Sequence, residues 1–259
     1  MDHMDYDELL SFATALGYRL QMAGAEIYRV EESVQRILAA YGAPTGEVFA
    51  IPNCLTASVT TPGLHPITRI RRVGFHGTDI HRLEALNGLC RRICASPPPL
   101  DEAWTMLRTI CADHTAYSYP FQLFAHALAA FAFTFFFGGG LRDAICAAMC
   151  GVTIGLCCTF MDKLHTNPFF KTSVGGFFSA LAALLLTAVG IGVSYDIIII
   201  AALMDLVPGI AFTNAIRDVI AGDMVSGISK IAEALLIGVA IALGTGLALV
   251  LVRFLGVVA

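Results

Sequence analysis

The second half of the chain consists mainly of long apolar stretches. From Phe121 onward, runs of about 20 apolar residues recur, which is the length that crosses roughly 30 Å of hydrocarbon as an α-helix. Short segments separate these runs, so consecutive helices are expected to be antiparallel neighbours. The pattern predicts five transmembrane helices: Phe121–Phe137, Ala144–Met161, Thr172–Val193, Ile197–Ile216 and Ile231–Val252.

The first half shows shorter periods. Leu9, Phe12 and Leu16 recur at steps of three and four residues, which is the spacing of one helix face. A β-rich stretch and a turn signal follow the first two helical patterns. The pattern predicts an α+β module with helices at Asp5–Met22 and Ala25–Tyr41, a small antiparallel sheet from Glu47–Thr61 and Ile67–Val73 with a turn at Thr61-Pro62-Gly63, a third helix capped by Thr78, and a fourth at Asp101–Asp113.

Composition separates the two halves. The chain is 57% hydrophobic and 14% charged, which argues against an ordinary soluble enzyme. Of its residues, 10 of 16 Lys and Arg and 13 of 20 Asp and Glu precede the junction at Tyr119 and Pro120. We therefore predict an α-helical polytopic membrane protein, with an N-terminal cytoplasmic α+β domain at residues 1–119 and a five-helix transmembrane domain at 120–259. The net charge of −4 does not indicate the excess of positive charge that is typical of nucleic-acid-binding proteins.

The basic residues predict the orientation in the membrane. Lys163, Lys171, Arg217 and Lys230 fall in the second and fourth predicted loops, whereas the first and third loops hold only Arg142. Basic loops remain on the cytoplasmic side. We expect a multi-pass protein of the cytoplasmic (inner) membrane, with its N-terminus inside and its C-terminus outside.

Motifs for enzymatic chemistry or metal binding are weak. His76, Asp79 and His81 have no recognised metal-ligand spacing, so capping and surface roles are favoured. No phosphate-binding loop, dinucleotide fingerprint or nucleophile elbow occurs in the sequence, and we predict neither an enzyme nor a cofactor. The eight cysteines form no secreted-type framework and are interpreted as reduced thiols.

The predicted fourth span carries the strongest candidate for a functional site. A carboxylate at the position of Asp205 is costly in the membrane unless it is used or paired. Pro208 and Gly209 then interrupt the helix, and discontinuous helices form the binding sites of many transporters. The alternative is a simple proline kink, with Asp205 neutral or bonded to a neighbouring helix. The predicted substrate and proton pathway comprises Asp205, Pro208, Gly209, Asn214, Arg217, Asp218, Asp223 and Glu233.

These residues suit an amino acid with two charged ends. Asp205 or Glu233 would meet its ammonium group, and Arg217 or the amides after Gly209 would meet its carboxylate. A dicarboxylate would require the acidic residues to be protonated or distant. His126 is interpreted either as a proton relay or as a neutral histidine bonded within the helix bundle.

Two further patterns predict structure. Gly151 and Gly155 form a GxxxG pair, the spacing of closely packed membrane helices. In the second predicted helix, Glu26 with Arg29 and Glu32 with Arg36 stand at helical pair spacing, which favours a solvated face.

Three stretches carry a resemblance to a known family. They are Ala23-Gly24-Ala25-Glu26 through Arg29-Val30-Glu31, RVGFHGTDIHRLEALN at 72–87, and Leu206-Val207-Pro208-Gly209 through Thr213-Asn214-Ala215-Ile216-Arg217-Asp218 to Gly222-Asp223 and Ser226-Gly227. With them the chain resembles the threonine/serine exporter family. In particular, it resembles the first, larger half of exporters that are split into two chains.

The resemblance implies proton-driven export of threonine and serine, together with a small partner membrane subunit. Because one five-helix bundle is small for a transporter, we also expect that two or more copies of the chain associate. The resemblance assigns no ligand to any residue, and the segment 24–31 is interpreted as a structural or gating element. Two alternatives stay open at this point. One is a subunit exporting C4-dicarboxylates such as succinate, and the other is a membrane scaffold or sensor that does not transport.

Overall fold

A computed structural model of the chain describes residues 5–43, 46–60, 65–74, 77–113 and 117–256. The chain divides into two compact units. The first comprises Met1–Thr115 with Gly209–Ala232, and the second comprises Ala116–Pro208 with Glu233–Ala259. The division into domains at residues 1–119 and 120–259 stays a prediction.

The first unit begins with two helices joined by a tight turn. Asp5 starts the first helix because its carboxylate accepts the free amide of Asp7 at 2.9 Å. Apolar residues at helical spacing bury one face of each helix, and Leu9, Phe12 and Val34 are fully buried. The helices of the N-terminal part are α1 (Tyr6–Met22), α2 (Ile27–Ala40), α3 (Ile80–Ala95) and α4 (Leu100–Ala112), close to the ranges that the sequence predicts.

The predicted small sheet is present. Strands β1 (Gly46–Ile51), β2 (Cys54–Val59) and β3 (Ile67–Arg72) form an antiparallel meander in the order β1-β2-β3. On β2, the alternate residues Leu55, Ala57 and Val59 are buried in the core formed with the helices. The turn predicted at Thr61-Pro62-Gly63 lies outside the described residues.

The start of α3 differs from the prediction. Asp79, and not Thr78, is the N-cap, and its carboxylate accepts the amide of Arg82 at 2.9 Å. A carboxylate there satisfies an amide that has no partner within the helix. His81 is exposed in the first turn, and His76 lies outside the described residues.

A helical hairpin from later in the chain completes the first unit. It consists of α9 (Gly209–Ala221) and the start of α10 (Met224–Phe254). Gly222 turns the chain between them with φ +103°, a left-handed conformation that glycine adopts without strain. Gly227 lets the two helices approach closely, since a Cβ there would lie 2.8 Å from the carbonyl oxygen of Ala215.

The second unit contains α5 (Tyr119–Phe136), α6 (Leu141–Lys163), α7 (Pro168–Ala188) and α8 (Tyr195–Leu203), together with the rest of α10. Within the described ranges, four helices are long and apolar enough to cross a membrane, namely α5, α6, α7 and α10. The predicted span Ile197–Ile216 is instead two helices of 9 and 13 residues, α8 and α9. The interruption expected at Pro208 and Gly209 is therefore present, whereas the count of five spans is not confirmed.

Glycines bring α5 and α6 together in the second unit. A Cβ on Gly151 would lie 2.5 Å from the carbonyl oxygen of His126, and one on Gly155 would lie 2.8 Å from His126 Cδ2. The predicted role of this GxxxG pair in helix packing is confirmed. Outward-facing apolar side chains such as Phe124 and Phe160 are exposed on these helices, as lipid-facing positions require.

Candidate functional site

Two polar arrangements contain the principal candidate residues, one in each unit. In the first unit, side chains of α9 and α10 meet the beginning of α2. We call this arrangement the α2–α9 cluster, and its members are Gly24, Glu26, Ile27, Asn214, Arg217, Asp218 and Lys230.

Asp218 is the centre of the α2–α9 cluster and is fully buried. Its Oδ1 accepts the amide of Ile27 at 3.0 Å, and its Oδ2 accepts a hydrogen bond from Lys230 Nζ at 2.8 Å. Ile27 is the first residue of α2, where amides lack partners within the helix and the helix dipole favours a negative charge. Glu26, at the N-cap position, makes no side-chain capping bond, so Asp218 supplies the cap from a distant part of the sequence.

Glu26 is bound by two arginines. Its Oε1 lies 3.0 Å from Arg217 Nη1, and its Oε2 lies 3.1 Å from Arg29 Nε. Only 9% of the Glu26 side chain is exposed, so the prediction of a solvated Glu26–Arg29 pair is wrong for the glutamate. The prediction holds for Glu32 and Arg36, whose exposed side chains pair at 2.6 Å.

The turn before α2 depends on a glycine. Gly24 has φ +91°, and a Cβ there would lie 2.5 Å from the carbonyl oxygen of Gly77. The side-chain amide of Asn214 donates to the Gly24 carbonyl at 3.3 Å, and the amide of Asp79 donates to the Ala23 carbonyl at 3.1 Å. Parts of all three stretches that carry the family resemblance therefore meet in the first unit.

Two further acids, Glu31 and Asp223, lie in the same unit. Glu31 on α2 accepts the amide of Ala50 at 2.6 Å. Burial raises the pKa of the Glu31 carboxyl, and the negative charge of Asp223 raises it further, against the effect of the Ala50 hydrogen bond. Burial and the charge of Asp218 likewise raise the pKa of Asp223.

In the second unit, Asp205 pairs with His126. The Asp205 carboxylate lies in the turn after α8, and its Oδ2 contacts His126 Nδ1 on α5. The side chains are 19% and 31% exposed, respectively. The His126 ring lies over Gly155 of α6, which leaves room for it. A carboxylate and an imidazole in contact can share, take up and release a proton.

Another acid of the second unit serves the backbone. Asp143 is buried, and its Oδ1 accepts the amides of Val193 at 2.7 Å and Ser194 at 3.1 Å, immediately before α8. Sequence reasoning missed this role because Asp143 stands next to Arg142 in a predicted loop. The signal for this role in the sequence was the presence of an acidic residue in that loop.

The other residues of the predicted substrate and proton pathway lie between Pro208 and Glu233. Pro208 precedes α9 and Gly209 begins it, while Asp223 precedes α10. Glu233 lies in α10 and is exposed. Asn214, Arg217 and Asp218 come together in the α2–α9 cluster. Across the described parts of the chain, no group of three or more His, Cys, Asp and Glu side chains is arranged to hold a metal ion.

Comparison with known proteins identifies similar sequences. The family model described as "Putative threonine/serine exporter" matches residues 11–252. The "Threonine/serine exporter" of Corynebacterium glutamicum is 25% identical over 99% of this chain and 54% of its own length. The "Probable threonine/serine exporter" of Mycobacterium tuberculosis is 21% identical over 94% of this chain and 46% of its own length. The chain thus spans about half the length of these curated relatives, and no solved structure matches it.

Proposed function

The chain belongs to the threonine/serine exporter family, and from this we propose that it is a transporter subunit that exports threonine and serine across the cytoplasmic membrane. The four apolar helices support a location in the membrane. The basic segments around Lys163, Lys171 and Lys230 support an orientation with the N-terminal module in the cytoplasm. The proposed C-terminus outside further requires that the segment of α8 and α9 returns the chain across the membrane between α7 and α10. The family is one of transporters and not of enzymes.

A partner completes the proposed transporter. The relatives are about twice as long as this chain, which aligns with about half of each. We propose that a second membrane subunit, a further copy of this chain, or both supply the remaining membrane helices.

The contact between Asp205 and His126 carries the proposal of proton-coupled transport. An acid in a membrane unit is retained where it is paired or moves charge, and its partner here is a side chain that itself titrates. In the proposed cycle, the carboxylate binds a proton or the substrate ammonium group, and His126 exchanges a proton with it. Backbone groups released by the interruption at Pro208 and Gly209 are additional candidates for substrate contact.

The α2–α9 cluster has a different proposed role. Both oxygens of Asp218 are occupied by Ile27 and Lys230, so we propose that Asp218 positions α9 and does not bind substrate. Arg217 keeps donors beyond its bond to Glu26, and 57% of its side chain is exposed. Arg217 is our candidate for the substrate carboxylate, and Asp223 and Glu233 stay proposed residues of the pathway.

Efflux from membrane vesicles tests this proposal. Native-membrane vesicles that overexpress the chain are loaded with labelled threonine and labelled succinate and are given a proton gradient. We expect selective loss of threonine from the unmodified chain and no efflux above background from Asp205→Asn at equal membrane abundance. The control is Asp196→Asn, which neutralises an exposed acid on α8.

Each other outcome contradicts a defined part of the proposal. Undiminished threonine efflux from Asp205→Asn would refute the role of Asp205. Selective loss of succinate would refute the substrate class. Retention of both labels by the unmodified chain would refute transport of these substrates by this chain without a second subunit.

A further inference from the structure

A groove between α2 and α3 in the first unit has no role in the proposed transport. Its volume is about 600 Å³, within the range of pockets that bind small organic molecules. Both helices contribute polar side chains to its walls. They include Tyr28, Arg29, Glu32, Ser33 and Arg36 from α2 and Asn87, Cys90 and Arg91 from α3.

The walls of the groove carry an excess of positive charge. Arg29, Arg36 and Arg91 line it together with one carboxylate, Glu32. Arg36 is paired with Glu32 at 2.6 Å, whereas Arg91 has no hydrogen-bond or ion-pair partner in the part of the chain that the structure describes. Glu26 does not correct the excess, because it pairs with Arg217 as well as with Arg29.

Neutral groups in the groove do not oppose an anion. Ser33 and Asn87 offer a hydroxyl and a side-chain amide, both hydrogen-bond donors. Burial raises the pKa of the Cys90 thiol to about 11, so this side chain stays uncharged at neutral pH. The groove therefore combines arginine guanidinium groups, neutral hydrogen-bond donors and space for an organic group.

We propose that this groove binds a small organic phosphate monoester, with the phosphate held by Arg36 and Arg91. A phosphate monoester carries a charge of about −1.5 to −2 at neutral pH and three acceptor oxygens, which matches the charge excess of the walls. The planar guanidinium group binds phosphate in a bidentate manner. The volume exceeds that of a phosphate ion, so the organic part of the ligand occupies the remaining space beside Tyr28 and Asn87.

Calorimetric titration of the purified full chain in detergent tests the site with three probes: AMP, glucose 6-phosphate and glycerol 3-phosphate. We expect saturable binding of at least one probe with a Kd below about 1 mM. Arg91→Gln is expected to weaken that binding at least about tenfold, because it removes the guanidinium group that has no partner among the described residues. Arg91→Lys is expected to restore only part of the affinity, since a point charge replaces a bidentate group.

The neighbouring arginine supplies the matched control. Arg92 is exposed on the same helix and does not line the groove, so Arg92→Gln removes the same charge with an expected change of less than about twofold. Equal losses in the Arg91 and Arg92 variants would refute the site, because they would indicate general charge attraction. Absence of saturable binding by all three probes would refute it too, and equally tight binding of malate would refute the assignment to phosphate.

Discussion

Two aspartates in neighbouring parts of the sequence have opposite surroundings. Asp218 in the first unit is fully buried, and fixed donors, a backbone amide and a lysine, occupy both of its oxygens. Asp205 in the second unit is partly exposed and contacts His126, whose charge depends on its protonation. An acid whose oxygens are both held by fixed donors is suited to fix structure, whereas an acid facing a titratable partner is suited to exchange protons.

This comparison separates residues that the sequence groups together. Both aspartates lie within the predicted pathway segment, and residue type alone does not distinguish them. Their partners do, because the free energy of a buried charge depends on what replaces its water. We therefore expect substitution of Asp218 to affect stability first and substitution at the Asp205–His126 pair to affect transport first.

The largest expected effect is the loss of stability in Asp218→Asn. The substitution leaves the ammonium group of Lys230, only 13% exposed, without its charged partner, and breaking a buried ion pair costs about 3–5 kcal/mol. Unfolding of the purified chain in mild detergent measures the change. In the double variant Asp218→Asn with Lys230→Met, the loss is expected to be smaller than the sum of the two single losses.

Asp162 and Lys171 provide a control of the same chemical type. They pair at 2.6 Å, but their side chains are 59% and 30% exposed, so Asp162→Asn is expected to cost at most about 1 kcal/mol. If Asp218→Asn were no less stable than Asp162→Asn, the structural role assigned to Asp218 would be wrong. A structural role would then no longer distinguish Asp218 from Asp205.

The second prediction concerns His126. We expect His126→Gln to lower the initial rate of threonine efflux from vesicles by about tenfold or more, since a hydrogen bond to a charged group contributes about 1.5–3 kcal/mol. Because glutamine does not titrate, the dependence of the rate on external pH should also flatten. Stability in detergent should change less than in Asp218→Asn, because the pair is partly exposed.

His165→Asn is the matched control for this experiment. His165 is exposed in the same unit and has φ 51°, a conformation that asparagine tolerates. It should retain both the rate and the pH profile of the unmodified chain. An unchanged pH profile in His126→Gln would eliminate the histidine as the proton-exchanging partner, whatever happened to the rate.

Local patterns were sufficient to predict most elements of this fold. The apolar periods located the helices and the sheet, and Gly151 with Gly155 marked a helix contact, because these features depend on residues close in sequence. Span counting was less accurate at Ile197–Ile216. Hydropathy measures apolar length, whereas Pro208 and Gly209 determine where the helix is interrupted.

The partners of the site residues could not be predicted in this way. Glu26 and Arg217 are 191 positions apart, as are Ile27 and Asp218, and His126 and Asp205 are 79 apart. Local spacing correctly suggested that Arg29 pairs with Glu26, but only the tertiary fold buries Glu26 and adds Arg217. The sequence identified chemically suitable residues, and packing decided which of them meet.

The smallest expected effect concerns Glu31. It tests whether the first unit, in which fixed donors hold Asp218, also contains an acid that titrates. Glu31 has a raised pKa because of burial and Asp223, so the folded chain holds its proton more tightly than the unfolded chain. This contribution to stability is complete below the ordinary carboxyl value of 4.5 and is lost as the pH rises through the raised pKa. Glu31→Gln cannot ionise, while its amide oxygen can still accept the Ala50 hydrogen bond.

The unfolding midpoint of Glu31→Gln should therefore rise relative to that of the unmodified chain as the pH increases from about 4.5 towards neutrality. Glu84→Gln, an exposed position on α3, should follow the unmodified chain throughout. Identical pH dependence in the two variants would show that Glu31 does not titrate in this window. The contrast between Asp218 and the Asp205–His126 pair would then extend to Glu31.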